Sequence, residues 1–175
     1  MNYILNKYQA NYNYREKLLK HFNNKGELLN FNANSFIEFE YKNLDYIYLI
    51  LKGQEKTILI LSKGDVFGEI TMIQEDYNLV ITETIKPTTV TKISKDIFYE
   101  VLYKNPKLYN ELLLMITTKF RILMAQIYDT TFFDVKRKLY FLLRRLSIQQ
   151  GNPTDNGVKI NMKLTHQELA NMIGS

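Results

Sequence analysis

The 175 residues, 46% of them apolar, can bury one good core or two small ones. Cysteine is absent, which excludes disulfides, thiolate catalysis, cysteine-ligated zinc and cysteine-bound iron–sulfur clusters. No apolar run reaches the roughly 18 residues of a membrane span, and no basic-then-apolar signal segment stands at the start, so a cytoplasmic location without membrane contact is expected. The net charge of +5 is uneven: residues 1–103 carry 12 basic and 13 acidic side chains, and residues 104–175 carry 11 and 5. The excess in the last part suits a polyanionic partner.

Residues 3–22 are rich in Tyr and Asn, with apolar side chains at helical spacing, and "YREKLLKHF" predicts a short amphipathic helix. From Glu27 the texture changes. "LLNFNANSFIEFEY", "YIYLILKG" and "TILILSKGDVF" are short, rich in Ile, Phe and Tyr, and broken by Asn, Gly and Asp, which are strand signals. Gly53, Gly64 and Gly68 mark turns. "LVITETI" and "TTVTKIS" alternate as two half-buried strands on either side of Pro87. Short strands in close succession predict an all-β sandwich or barrel for this part.

Strand texture then stops. "SKDIFYEVLYKNP" predicts a short helix with a Ser or Asp cap. From Pro106, a suitable first helical residue, a long helix runs to about Tyr128. It carries two apolar stripes. Tyr109, Leu113, Ile116, Phe120, Leu123 and Ile127 step by 4, 3, 4, 3, 4, the spacing of a coiled-coil seam. Leu108, Leu112, Met115 and Ile122 form the second. Packing on one neighbour needs one stripe, so this helix is expected to touch its own β domain and a partner chain, in a two-fold dimer. Asp134 caps a further helix, "VKRKLYFLLRRLSIQQ". Its Leu139, Leu142, Leu143 and Leu146 are expected to be buried, with Lys136, Arg137, Lys138, Arg144 and Arg145 outside. "GNPTDNG" is dense in turn residues and "VKINMKL" alternates like a strand.

Two motifs carry most of the functional content. In "THQELANMIGS", Thr165 and Glu168 have the spacing of a capping box, Leu164 is expected to be buried, and Ala170 and Gly174 stand four apart. A helix-turn-helix needs a small residue at a close crossing and a glycine at the turn. Thr165 to Gln167 would then approach phosphates, with His166 as a further donor. In "KGDVFGEI", Lys63 to Ile70, Gly-Asp and Gly-Glu suit a strand–turn–short-helix joint whose backbone N–H groups could cradle an anion.

Together these landmarks resemble the Crp/Fnr family of bacterial transcription regulators. The resemblance runs from about Glu27 to the end, through "YLILKG", "GDVFGEI", the helix opened by Asn105-Pro106, "FFDV" and "LTHQELANMIGS". It implies an α+β chain: a β-roll or jelly-roll sensor over 1–104, a dimerisation helix and hinge over 105–133, and a winged-helix domain over 134–175. In the family the turn at Gly174 leads into a recognition helix and a wing. The chain stops before both, so a C-terminally truncated, incomplete winged helix is expected. Effector contacts carry over to Gly68, Glu69, Leu79, Val80, Leu123 and Met124, and DNA contacts to Lys163, Thr165, His166, Gln167 and Ser175. The seam from Tyr109 to Ile127 carries the dimer interface. The implied partners are DNA for the complete protein, a second copy of the chain, RNA polymerase, and either an unidentified small-molecule effector or none. No metal or cofactor is called for.

The departures bear on the effector. Cyclic-AMP-binding members follow Gly-Glu with an Arg-Ser pair that grips the phosphate and ribose. Here those positions fall near Leu79 and Val80, and no arginine lies between Arg15 and Arg121. Burying a phosphate without a guanidinium is costly. Leu123 and Met124 stand where hydroxyl contacts are made, so a response to cyclic AMP is not expected. The segment between Gly53 and Gly64 is shorter than the family's two-strand flap, which implies a pocket that is open, vestigial or filled by Tyr and Phe. The alternative function is a ligand-sensing or protein-interaction dimer without DNA binding. A cupin-type enzyme needs several converging His, whereas His21 and His166 lie near opposite ends of the sequence, so no enzymatic activity is expected.

Overall fold

The structure is a computed structural model that describes residues 12–38, 45–56, 59–77 and 80–174. Leu79, Ser175 and the Tyr/Asn-rich stretch before residue 12 lie outside the described residues. Helix and antiparallel sheet are mixed, as the sequence predicts. The described residues divide into two compact units, 12–119 and 120–174.

The first unit opens with α1 (Tyr14–Phe22), followed by β1 (Glu27–Phe31), β2 (Phe36–Glu38), β3 (Tyr46–Lys56), β4 (Ile60–Ser62) and β5 (Val66–Phe67). Then come α2 (Glu69–Gln74), β6 (Thr82–Ser94), α3 (Lys95–Lys104) and the first part of α4 (Leu108–Phe132). The strands form one antiparallel sheet of order β1–β6–β3–β4, with β2 also on β6 and β5 also on β3. Its core joins α1 (Tyr14, Leu18, Phe22), the sheet (Ile47, Leu49, Val66, Ile93), α3 (Phe98, Leu102) and α4 (Leu108, Leu112, Met115). Phe22 and Phe98 stack at 5.5 Å between centroids. The Ser94 hydroxyl accepts from the Ile97 N–H and starts α3.

The two strands expected around Pro87 are one continuous strand, β6. Proline brings no N–H to a ladder and normally ends a central strand. Pro87 escapes because it falls between partners: β1 pairs up to Thr88, and β2 begins opposite Glu83. Against β3 the register shifts between Lys52↔Thr89 and Gln54↔Lys86. There the Thr88 hydroxyl bonds both the N–H and the carbonyl of Gln54, at 3.2 and 3.0 Å. A side chain thus makes the rungs that Pro87 cannot.

The long helix begins two residues later than Pro106 and continues to Phe132, four past Tyr128. Pro106 sits in the preceding turn, where the Leu108 N–H donates to Asn105 and the Tyr109 N–H to Pro106.

The second unit holds the rest of α4, α5 (Val135–Gln150), β7 (Gly151–Thr154), β8 (Gly157–Ile160) and α6 (His166–Ile173). Asp134 caps α5, accepting from the Arg137 N–H at 2.8 Å. Within "GNPTDNG" the turn falls at Asp155-Asn156, and the first four residues are β7, which pairs with β8 across it. Pro153 is tolerated because this two-stranded ribbon has only edges. The strand in "VKINMKL" stops at Ile160. Leu164 is half-buried rather than buried.

The buried face of α5 is rotated from the expected one. Phe141, Leu142, Arg145 and Leu146 are buried, Leu139 is half-buried and Leu143 is exposed. Phe141 sets this phase by stacking on Phe133 at 5.0 Å beside Ala125. Arg145, expected outside, follows that phase inward because it stands four residues after Phe141.

Candidate functional site

The Gly64–Glu69 turn is tightly held by backbone and side-chain hydrogen bonds. The Gly64 N–H donates to the Ile50 carbonyl at 2.8 Å, and the Ile50 N–H donates to the Asp65 carbonyl at 3.0 Å. Gly64 has φ 87°, and a Cβ there would lie 2.5 Å from the Arg15 Cβ, so only glycine fits. Asp65 is 1% exposed. Its carboxylate accepts from the Tyr14 hydroxyl at 2.6 Å, from Arg15 Nε at 2.9 Å and Nη2 at 2.6 Å, and from the Ser62 N–H at 2.9 Å. A bidentate guanidinium, a phenol and a backbone amide satisfy both oxygens. Burial first, then the Asp65 carboxylate, push the Tyr14 hydroxyl well above its ordinary value. Burial opposes the Arg15 charge, yet the hydrogen bonds and charge of Asp65 prevail and raise it. This network fastens α1 to the sheet.

Gly68 follows in the left-handed region, φ 80°, and caps α2. Glu69, at its first position, is 3% exposed. Lys119 reaches it from α4: its Nζ donates to Glu69 Oε1 at 2.7 Å and to the Val66 carbonyl at 2.6 Å. Both side chains are mostly buried. The carboxylate that the family resemblance assigns to an effector contact is therefore engaged by the chain's own ammonium. Lys119 is a residue that sequence reasoning missed, and a signal for it existed. It stands on the buried stripe, four after Met115 and three before Ile122, where a charge calls for a partner.

The two stripes of α4 have opposite fates. Leu108, Leu112, Met115 and Ile122 are buried, at 3%, 7%, 0% and 6% exposure. Tyr109, Leu113, Ile116, Phe120 and Ile127 are exposed, and Leu123 is half-buried. Met124, Tyr128 and Phe132 extend the exposed apolar surface.

In the second unit, Thr165 and Glu168 form the expected capping box around α6. The Glu168 N–H donates to the Thr165 hydroxyl at 3.2 Å, and the Thr165 N–H donates to Glu168 Oε2 at 2.7 Å. Gly174 ends the helix at φ 67°, in the left-handed conformation of a turn. Lys163, Thr165, His166 and Gln167 are exposed, and the Gln167 amide donates to Asn171. Buried Arg145 is attracted by the charge of buried Asp129, and with the Gln126 amide turned so that its oxygen faces the guanidinium, that oxygen accepts from Nη1 at 2.5 Å and Nη2 at 3.2 Å. Burial pulls the Arg145 guanidinium down to about 10, against the attraction of Asp129.

Of the expected effector residues, Gly68, Glu69 and half-buried Val80 belong to the first unit, and Leu123 and Met124 to the second. Among the described residues no three His, Asp or Glu side chains gather as metal ligands, and no helix is long and apolar enough to cross a membrane.

No protein-family model matches the chain. The anaerobic regulatory protein of Bacillus subtilis (strain 168) is 30% identical over 119 residues, 67% of this chain and 50% of that protein. The global nitrogen regulator of Synechococcus elongatus is 25% identical over 160 residues, 83% of this chain and 71% of that one. A CooA mutant structure from Carboxydothermus hydrogenoformans matches with a TM-score of 0.74 at 16% identity, over 97% of this chain and 81% of that one. The chain thus spans half the length of the first of these relatives. It belongs to the Crp/Fnr family of regulators and has the family's cyclic-nucleotide-binding-like fold. These relatives are regulatory proteins, not enzymes.

Proposed function

We propose that the protein acts as a two-fold dimeric transcription regulator that binds duplex DNA and does not respond to cyclic AMP. The observation that carries this reading is the α4 surface, where one apolar stripe is filled and a seam of coiled-coil period stands open beside it. A second copy of the same helix is its natural cover, because a two-fold axis pairs each seam with itself. In this reading 1–104 is the sensor, 105–133 the dimerisation helix and 134–175 the DNA-binding part.

DNA contact is assigned to the start of α6, where exposed Lys163, Thr165, His166 and Gln167 surround a helix N-terminus on the basic half of the chain. Phosphate contacts of this kind give weak, salt-sensitive affinity, and base reading needs a helix in the major groove. Independence from cyclic AMP rests on two facts: Lys119 holds Glu69, and no arginine stands between Arg15 and Arg121 to meet a phosphate.

Footprinting on the promoter of its own gene, with protein expressed from that gene, tests the reading. Two protected half-sites about one helical turn apart support it. A dimer that protects nothing at low salt would assign the protein to ligand sensing or protein interaction without DNA. A calorimetric titration with cyclic AMP is expected to show no binding.

A further inference from the structure

We propose that the cleft between the C-terminal ends of α1 and α3 binds a small organic anion, a phosphate or carboxylate on an apolar stem. The cleft has a volume of about 640 Å³, within the range of roughly 300–1,000 Å³ usual for small-molecule sites. Lys20, Lys25 and Lys104 line it. Glu100 is the single carboxylate of the lining, and Lys104 holds it in an ion pair. Neither Lys20 nor Lys25 makes an ion-pair contact among the described residues, although the Lys25 charge also acts on Glu100 through space.

Lys20 and Lys104 lie in the last turns of their helices, where a cation also complements the helix dipole. Lys25 belongs to neither helix. It stands in the connection before β1, so the positive charge exceeds what two helix ends require. Beneath this basic rim lie Ile97, half-buried, and Val101, 6% exposed. A floor of two aliphatic side chains under a cationic rim suits an amphipathic anion better than a bare ion. The cleft lies wholly within the first unit and shares no residue with the Gly64–Glu69 turn or with α6.

The test is titration of the whole chain with phenyl phosphate, inorganic phosphate and hexaglutamate, followed by calorimetry and amide NMR shifts. Phenyl phosphate is expected to bind about fivefold more tightly than inorganic phosphate, because the ring covers the apolar floor. The shifts should centre on α1, Lys25 and α3. In the double variant Lys20→Gln, Lys25→Gln its Kd should rise about tenfold, roughly threefold for each lost charge near the anion. Both residues are exposed, so the variant keeps the fold, as unchanged thermal unfolding would verify. Equal affinities for the two phosphates, or a Kd unmoved by the double variant, would overturn the proposal. Hexaglutamate binding more tightly than phenyl phosphate would overturn it too, and would assign the cleft to an acidic polypeptide.

Discussion

Phe120→Ala should break the proposed dimer without weakening the single chain. Phe120 is 62% exposed on the seam of α4. A phenylalanine brings about 200 Å² of surface to a core, so about 120 Å² remains to be covered. At about 25 cal/mol per Å² this is about 3 kcal/mol per protomer, and about 6 kcal/mol for the two copies. Alanine keeps its Cβ, and the neighbours relax into part of the space. A net loss of about 3 kcal/mol is therefore expected, a rise of more than a hundredfold in the dimer Kd. Sedimentation equilibrium over a range of protein concentrations measures it. Tyr103→Ala is the control, since Tyr103 is 74% exposed but lies off the seam, on α3. Thermal unfolding should depend on concentration in the parent and lose that dependence in Phe120→Ala. Equal dimer Kd values for the parent and Phe120→Ala, or an equal loss in Tyr103→Ala, would show that exposure on α4 says nothing about association.

Lys119→Met should destabilise the first unit by about 3 kcal/mol in denaturant unfolding, because it leaves the Glu69 carboxylate buried and unpaired. The double variant Lys119→Met, Glu69→Leu should recover most of that loss. Arg145→Met should cost the second unit a similar amount, about 3 kcal/mol, by removing the buried guanidinium that the Asp129 charge attracts, and Asp129→Leu added to it should recover part of the loss. Tyr14 gives a pH signature. Its hydroxyl pKa is raised by folding, so its contribution is fully present below the ordinary tyrosine value near 10 and is lost as pH rises above it. Stability measured between about pH 9 and 11 should therefore fall more steeply in the parent than in Tyr14→Phe.

The elements whose local pattern matched their surroundings were legible in the sequence. "YREKLLKHF" is α1, Ser94 and Asp134 cap their helices, and the two stripes of α4 separate into buried and exposed as their spacing requires. The misreadings share one cause, a distant partner overriding a local rule. Pro87 looks like a strand end until Thr88 is seen bonding Gln54 across the sheet. Pro153 looks like one more turn residue until β8 pairs with it. Arg145 looks like a surface residue until Phe141 fixes the rotation of α5. The Asp65 network was half legible. "KGDVFGEI" announced a constrained turn, but Tyr14 and Arg15, about 50 residues earlier, gave no sign of meeting it.

The buried stripe of α4 continues past its apolar members in a way that bears on the exposed one. Steps of four and three from Leu108 run through Leu112, Met115, Lys119, Ile122, Gln126 and Asp129. Three of these are polar, and each meets a complementary group within its own unit. Lys119 meets Glu69 in the first, and Gln126 and Asp129 meet Arg145 in the second. Apolar residues at these positions would be tolerated as well or better for stability alone, since buried ion pairs add little net energy. What polar residues add is intolerance of displacement. Turning α4 by one residue, about 100°, would leave the Glu69 and Arg145 charges buried without partners, a cost of several kcal/mol each. An all-apolar stripe would resist the same turn far less. The partners that fix which face of α4 points inward thereby fix which face points out. In each unit the polar residues of the opposite stripe hold that unit's own part of the seam outward, as the proposed two-fold helix pair would need.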